Sequence, residues 1–276
     1  MTSEKAKPLA GKVVAITRPE GRSQGMATLI EDLGGVPYLV PMVEIGPPRE
    51  GQKMLDFING ILGNQFDLLI FLSVNSVKSL FDVAHEAGLT NRLLEKIESI
   101  RVLSIGTKTM EALQGHGVTT AHVPRRQSTA GILESLDEYD LEGVKIGVPR
   151  SSEADDALRK ELLRRGAVVR EVEAYTSTPP SDRLRAVKFL DDLLKGGIDV
   201  VTFTSASTAR NMFAIAEEHT SPERLRERLN RVTVAAIGPK TQEALEALDV
   251  KVDVVPERHS IEALVMAIAE EFTVRG

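Results

Sequence analysis

Two arginines, one tyrosine and a series of Ser/Thr/Gly turns hold most of the chemistry this sequence offers. Arg18 and Arg150 each directly follow a short apolar run, in AITRP and GVPRS. A guanidinium placed there can grip a carboxylate through two parallel hydrogen bonds; the alternative is a surface salt bridge. Other apolar runs end in Ser73-Val74-Asn75-Ser76, in Gly106-Thr107-Lys108-Thr109 and in Pro124 leading to Ser128. A second set reads Ser205-Ala206-Ser207-Thr208, Gly238-Pro239-Lys240-Thr241 and Pro256 leading to Ser260. Backbone N–H groups, a hydroxyl and sometimes a cation at each turn suit anionic oxygens, although the same residues are ordinary helix caps. Their recurrence at equivalent places favours a ligand with several negative groups. Tyr175, in EVEAYTS, offers a phenol that donates a proton or hydrogen bond into a cleft, or else an aromatic that only packs.

The rest of the catalytic inventory is poor. There are no cysteines, which removes disulfides, thiolate metal sites and Cys nucleophiles. His85, His116, His122, His219 and His259 are scattered without a metal-ligand spacing. Neither a Walker A loop, a G-x-G-x-x-G turn, a Ser-His-Asp set nor HExxH is present. An enzyme with this inventory acts on a substrate that is already reactive and works by orientation and polar stabilisation.

These residues are positioned by a repeat. Gly11 opens GKVVAITR and Gly143 opens GVKIGVPR, and 143 − 11 = 132. The same shift of 132 carries FDLLIFLS (66–73) onto IDVVTFTS (198–205), Gly34 onto Gly166, Thr109 onto Thr241 and Ser128 onto Ser260, without a gap. A period this long means two similar domains rather than an array, and 276 residues suffice for two cores. Strands are expected at 13–17, 68–72, 102–105 and 122–123, with copies at 145–148, 200–203, 234–237 and 252–255. Their apolar runs lack alternation, as parallel strands buried on both faces require. Helical patterns lie between them, several closed by a glycine (Gly34, Gly117, Gly166). The expected class is therefore α/β, with a doubly wound parallel sheet in each lobe.

Residues 36–48 and 168–180 are long, extended and proline-terminated, and read as connections between lobes. Either the first βα unit belongs with the C-terminal portion, or two lobes follow in series; the pattern alone admits both.

In their order, TRPEGR, FLSVNSV, IGTKTMEAL, HVPRRQSTAGILESL, GVKIGVPR, EVEAYTS, FTSASTARN, AAIGPKTQEAL and VVPERHSIEALVMAI resemble the uroporphyrinogen-III synthase family, over essentially the whole chain. The resemblance implies two flavodoxin-like lobes joined by a two-stranded linker. One lobe is discontinuous (1–37 with 178–276), one is continuous (48–167), and 38–47 and 168–177 are the linker strands. It implies an enzyme, a lyase that cyclises hydroxymethylbilane to uroporphyrinogen III with inversion of ring D and loss of water, in tetrapyrrole biosynthesis. No cofactor or metal is implied. Tyr175 corresponds to the family's cleft tyrosine and is the expected catalytic residue. Arg18, Ser73, Ser76, Thr109, Ser128, Arg150, Ser205, Thr208, Gly238, Thr241 and Ser260 are the expected substrate-binding set. Two departures stand out: the family's Tyr-x-Thr is Tyr175-Thr176-Ser177, and its Arg-Gly is Arg150-Ser151, where a side chain limits close backbone approach.

A bilobal anion-binding or regulatory module is the competing reading. A regulator normally brings a DNA-binding segment, and none shows before residue 11 or after 271. A racemase-like enzyme would normally use a Cys pair, which is lacking. A net charge of −6 speaks against nucleic acid or a membrane surface as partner. The expected partner is a small molecule with several carboxylates, the expected state a monomer and the expected location the cytoplasm.

Overall fold

The computed structural model describes residues 7–154 and 156–275. The outermost parts of the expected discontinuous lobe, residues 1–6 and 276, lie outside the described residues.

The chain opens with β1 (Val13–Ile16), a 3-10 turn (Glu20–Arg22), α1 (Gln24–Asp32), β2 (Val36–Leu39) and β3 (Glu44–Gly46). Next come α2 (Gly51–Leu62), β4 (Leu68–Phe71), α3 (Val74–Glu86) and α4 (Thr90–Ile97). These lead into β5 (Arg101–Ser104), α5 (Thr107–Gly115), β6 (Ala121–His122) and α6 (Thr129–Glu134). Then follow β7 (Lys145–Ser151), α7 (Ala157–Arg164), β8 (Val168–Thr178) and α8 (Arg183–Leu194). The last part holds β9 (Val200–Phe203), α9 (Ala206–His219), α10 (Pro222–Leu229), β10 (Thr233–Ala236), α11 (Pro239–Glu246) and α12 (Ile261–Arg275). Adding 132 to the bounds of α2, β4, α4 and β5 gives the bounds of α8, β9, α10 and β10.

Two compact units result: Met1–Ile45 with Thr178–Gly276, and Gly46–Ser177. The first holds a parallel sheet of order β10-β9-β1-β2, extended by a bridge from Ala235 to Val254. Counted from β1 this is the 2-1-3-4-5 order of a flavodoxin-like doubly wound sheet. The second sheet has the order β3-β8-β7-β4-β5-β6. There the repeat's first two strands, β7 and β8, come last in the unit.

Residues 168–175, expected as part of a connection, pair in parallel with β7 and so belong to the second unit's sheet. Residues 36–39 likewise pair with β1. Strand 168–178 reads as extended in either role, and only its pairing partner distinguishes them.

The unbroken apolar strands are explained by burial on both faces. Leu69 and Phe71 enter one core of the second unit, and Leu68 and Ile70 the other. In the first unit Val201 and Phe203 enter one core and Val200 the other. Turn geometry repeats as well: Gly34 (φ 85°) and Gly166 (φ 84°) close α1 and α7 in the left-handed region. Elsewhere Asn64 (φ 58°) and Asp249 (φ 57°) adopt that region, where the other copy has glycine; Asn and Asp tolerate it best among side-chain-bearing residues.

Candidate active site

A doubly wound sheet binds ligands at the carboxyl ends of its strands, where successive helices leave to opposite faces. In the first unit that point lies between β1 and β9. α1 (Met26, Ile30) packs into one core and α9 (Ala209, Met212) into the other. In the second unit the equivalent point lies between β7 and β4, with α7 (Leu158, Leu162) and α3 (Val77, Leu80) on opposite faces. Arg18 and Ser205 stand at the first point, Arg150 and Ser73 at the second.

The helix caps are built alike in both copies. Ser73 Oγ accepts the Ser76 N–H at 3.1 Å and Ser205 Oγ accepts the Thr208 N–H at 3.2 Å. Ser128 takes the Gly131 amide and Ser260 the Ala263 amide, each at 3.1 Å. Ser76 Oγ donates back to the Ser73 carbonyl at 2.7 Å, and the Thr208 hydroxyl lies 2.8 Å from Ser205 Oγ. Ser76 and Thr208 are fully buried, so their hydroxyls complete the caps. Thr109 and Thr241 are also buried, their N–H groups bonded to the carbonyls of Gly106 and Gly238 at 3.1 Å. The hydroxyls of Ser76 and Thr208 thus shape the turns rather than face outward.

Two turns expected to offer open amides offer fewer. The Thr107 N–H at the start of α5 donates to Gln127 Oε1 at 3.3 Å, and Gln127 Nε2 donates to Thr107 Oγ1 at 2.9 Å. At the start of α11, Pro239 has no N–H to give. The repeat partner of Gln127 is His259, and both lie directly over the capping glycine. A Cβ on Gly106 would fall 2.6 Å from Gln127 Oε1, and one on Gly238 3.0 Å from the His259 ring. Close approach, rather than a left-handed backbone, selects glycine at both caps. α3, α9 and α12 each start on a serine cap, and an α-helix leaves its first four amides without an i−4 carbonyl.

The arginines differ sharply. Arg150 Nη1 lies 2.6 Å from Glu171 Oε1 and 3.4 Å from Asp156 Oδ1, and Nη2 donates to the Ala154 carbonyl. Its side chain is 10% exposed and that of Glu171 18%. Arg150 is thus held within its own unit, which corrects the expectation of a guanidinium free to take a carboxylate. Leu39 and Gln24 stand where the first unit would need Glu171 and Asp156. Arg18 Nε is buried without a hydrogen-bond partner. Burial lowers the Arg18 pKa, the like charge of Arg22 adds to this, and Glu262 partly opposes it.

Tyr175 sits at an irregularity in β8. Pairing with β7 runs from Lys145↔Val168 to Arg150↔Glu173 and resumes at Ser151↔Tyr175, leaving Ala174 as an extra residue. A bulge of this kind sends two successive side chains to one face. Accordingly Ala174 and the half-buried Tyr175 both join the core that contains Val77 and Phe81. The Tyr175 carbonyl accepts the Ser152 N–H at 3.1 Å. Val43, the repeat partner of Tyr175, is buried.

Sequence reasoning missed Glu171, Gln127 and the contacts that hold Ala174. Among the described residues no group of three or more His, Asp or Glu could hold a metal. No helix among them is long and apolar enough to cross a membrane.

A family model described as uroporphyrinogen-III synthase HemD matches residues 24–266. The putative uroporphyrinogen-III synthase of Methanothermobacter thermautotrophicus is 35% identical over 262 residues, covering 93% of this chain and 97% of the relative. The uroporphyrinogen-III synthase of Chlorobaculum parvum is 29% identical, covering 94% and 98%. A crystal structure of mutant uroporphyrinogen III synthase from Thermus thermophilus superposes with a TM-score of 0.69 at 22% identity, covering 96% of this chain and all of that one; it speaks for the fold alone. With the model spanning most of the sequence and a relative above 30% identity matched nearly end to end, the chain belongs to the uroporphyrinogen-III synthase family, a family of enzymes.

Proposed function

We propose that this chain closes the linear tetrapyrrole hydroxymethylbilane into uroporphyrinogen III, inverting ring D and releasing water, as a lyase of tetrapyrrole biosynthesis. The observation that carries this reading is the relationship to uroporphyrinogen-III synthases over nearly the whole chain. The substrate is a small molecule with several carboxylates. Arg18 takes one of them, because an anion would satisfy its buried Nε and offset its desolvation. The turns capped by Ser73, Ser205 and Ser260 take others through first-turn amides.

The reaction begins at the hydroxymethyl carbon. Its C–O bond breaks as the pyrrole nitrogen pushes electrons in and the Tyr175 phenol delivers a proton, so that hydroxide leaves as water. The substituted carbon of ring D attacks the resulting methylene and gives a spiro intermediate. The bond from ring D to its original bridge then breaks, and that bridge carbon is captured by the other α-carbon of ring D. Loss of a proton restores the pyrrole and, through water, the Tyr175 phenol. Atoms balance as substrate to product plus one water. Orientation does most of the work, since the azafulvene left by the loss of water is reactive once formed. The chain acts as a cytoplasmic monomer with neither nucleic acid nor membrane as partner, a reading supported by its net charge of −6.

Incubation with freshly prepared hydroxymethylbilane and isomer analysis of the products tests this. The type III isomer is expected; type I alone, at the spontaneous rate, would overturn it.

A further inference from the structure

The residue that follows the bulge is the one the proposed reaction needs, so whatever fixes the bulge fixes the phenol. The Ser79 hydroxyl, on α3, donates to the carbonyl of Ala174. In the first unit Asn211 Nδ2, on α9, donates to the carbonyl of Met42 at 3.0 Å. Both donors and both acceptors are related by the repeat: 79 + 132 = 211 and 42 + 132 = 174. The same tie, made with different side chains, therefore joins the helix after the central strand to the residue before Tyr175 in one unit and before Val43 in the other.

The chemistry of the tie is that of a buried acceptor needing a donor. The extra residue of a bulge is left out of the strand ladder, so its backbone groups must find partners elsewhere. Ser79 supplies one for Ala174, and it does so from a helix whose Val77, Leu80 and Phe81 are packed into the same core that seats Ala174 and Tyr175. The Ser152 N–H holds the next carbonyl, that of Tyr175. The backbone carbonyls on both sides of the Tyr175 Cα are thus fixed, and its ring leaves from a restrained backbone.

We infer that Ser79 is a positioning residue for Tyr175, acting through the Ala174 carbonyl. The inference rests on the assignment of Tyr175 to proton delivery. In the first unit the same tie serves only packing, because Val43 brings no functional group.

Four variants of the full chain separate these roles by steady-state kinetics: Ser79→Ala, Tyr175→Phe, the double variant, and Asn211→Ala. Losing one hydrogen bond that orients a reacting group lowers kcat about 3-fold to 10-fold with KM held. In the Tyr175→Phe background the same Ser79→Ala change should lower kcat less than about 2-fold, because residues acting as a unit are non-additive. Asn211→Ala should lower the melting temperature with kcat unchanged, and Ser79→Thr, which keeps the hydroxyl, should restore kcat. If Ser79→Ala does not fold, Ser79→Cys, with its weaker donor, replaces it in the same cycle. Equal losses from Ser79→Ala in both backgrounds would overturn the positioning role while leaving Tyr175 in place. A Tyr175→Phe variant of unchanged kcat would instead remove the assignment on which the inference rests.

Discussion

In the second unit the arginine that ends β7 has its charge matched by Glu171 and Asp156, and the start of α5 is closed by Gln127. In the first unit Arg18 has Leu39 and Gln24 at the corresponding positions, and the start of α11 carries His259 beside a proline. The second unit has thus matched its strand-end arginine internally and carries a tyrosine at its bulge; the first keeps the equivalent arginine's Nε buried and unpaired and carries a valine. A duplicated scaffold conserves backbone geometry cheaply, since the same helix bounds recur at a fixed shift. On the proposed function, side-chain changes at equivalent points would divide the work: proton delivery to one copy, anion binding by a cation to the other. An unsatisfied buried donor lowers stability, and its retention at a strand end makes sense when a ligand completes it.

The sharpest break of this comparison is Tyr175→Phe. It removes only the hydroxyl and keeps the packing against the second unit's core. kcat should fall about 10-fold to 100-fold, as for loss of a general acid acting on a reactive substrate. A loss as complete as removal of a covalent nucleophile would contradict a reaction driven mainly by orientation. A loss below about 2-fold would place proton delivery elsewhere.

Much of the fold was legible because the repeat presented each βα unit twice. The turns at Thr17, Ser73 and Ser205, one or two residues past the ends of β1, β4 and β9, followed from apolar runs giving way to polar residues. The serine caps were legible too, since cap chemistry is local. What escaped depended on pairing between distant segments. Glu171 partners Arg150 diagonally across β7 and β8, and parallel register is not written in either strand alone. The bulge at Ala174 was hidden because EVEAYTS reads as an ordinary extended run. Ser79 and Asn211 did leave a trace: polar residues at the same repeat position within two otherwise well-packed helices. That trace becomes informative only once the carbonyl each one meets is known.

Arg150→Gln should separate scaffold from site. It removes the cation from an ion pair whose carboxylate, Glu171, is 18% exposed, leaving a poorly solvated charge beside Arg159 at 3.8 Å. Truncating one partner of such a pair lowers stability by about 2 kcal/mol, below the value for a fully buried one because Arg159 and solvent still reach Glu171. The melting temperature should fall while KM stays near that of the parent chain. Adding Glu171→Gln should recover part of the loss, since the second change removes the stranded charge. Were KM to rise about 10-fold in the Arg150→Gln variant without a change in melting temperature, Arg150 would belong with the substrate after all.

Arg18→Gln should behave in the opposite way. The guanidinium loses solvent on folding and gains no ion pair like that of Arg150, as the downward push of burial on its pKa reflects. Glutamine removes that buried charge, so stability should hold or rise by a few tenths of a kcal/mol. Its amide cannot reproduce the two-pronged, charge-assisted contact with a carboxylate, and KM should rise about 10-fold, equivalent to about 1.4 kcal/mol of lost binding. kcat should change little, because a carboxylate remote from the reacting carbon is gripped equally in ground and transition states. Thermal melts and steady-state kinetics on the same two preparations decide the matter. If Arg18→Gln melts lower than Arg150→Gln and leaves KM alone, the roles of the two arginines are reversed, and the unpaired nitrogen of Arg18 needs another partner.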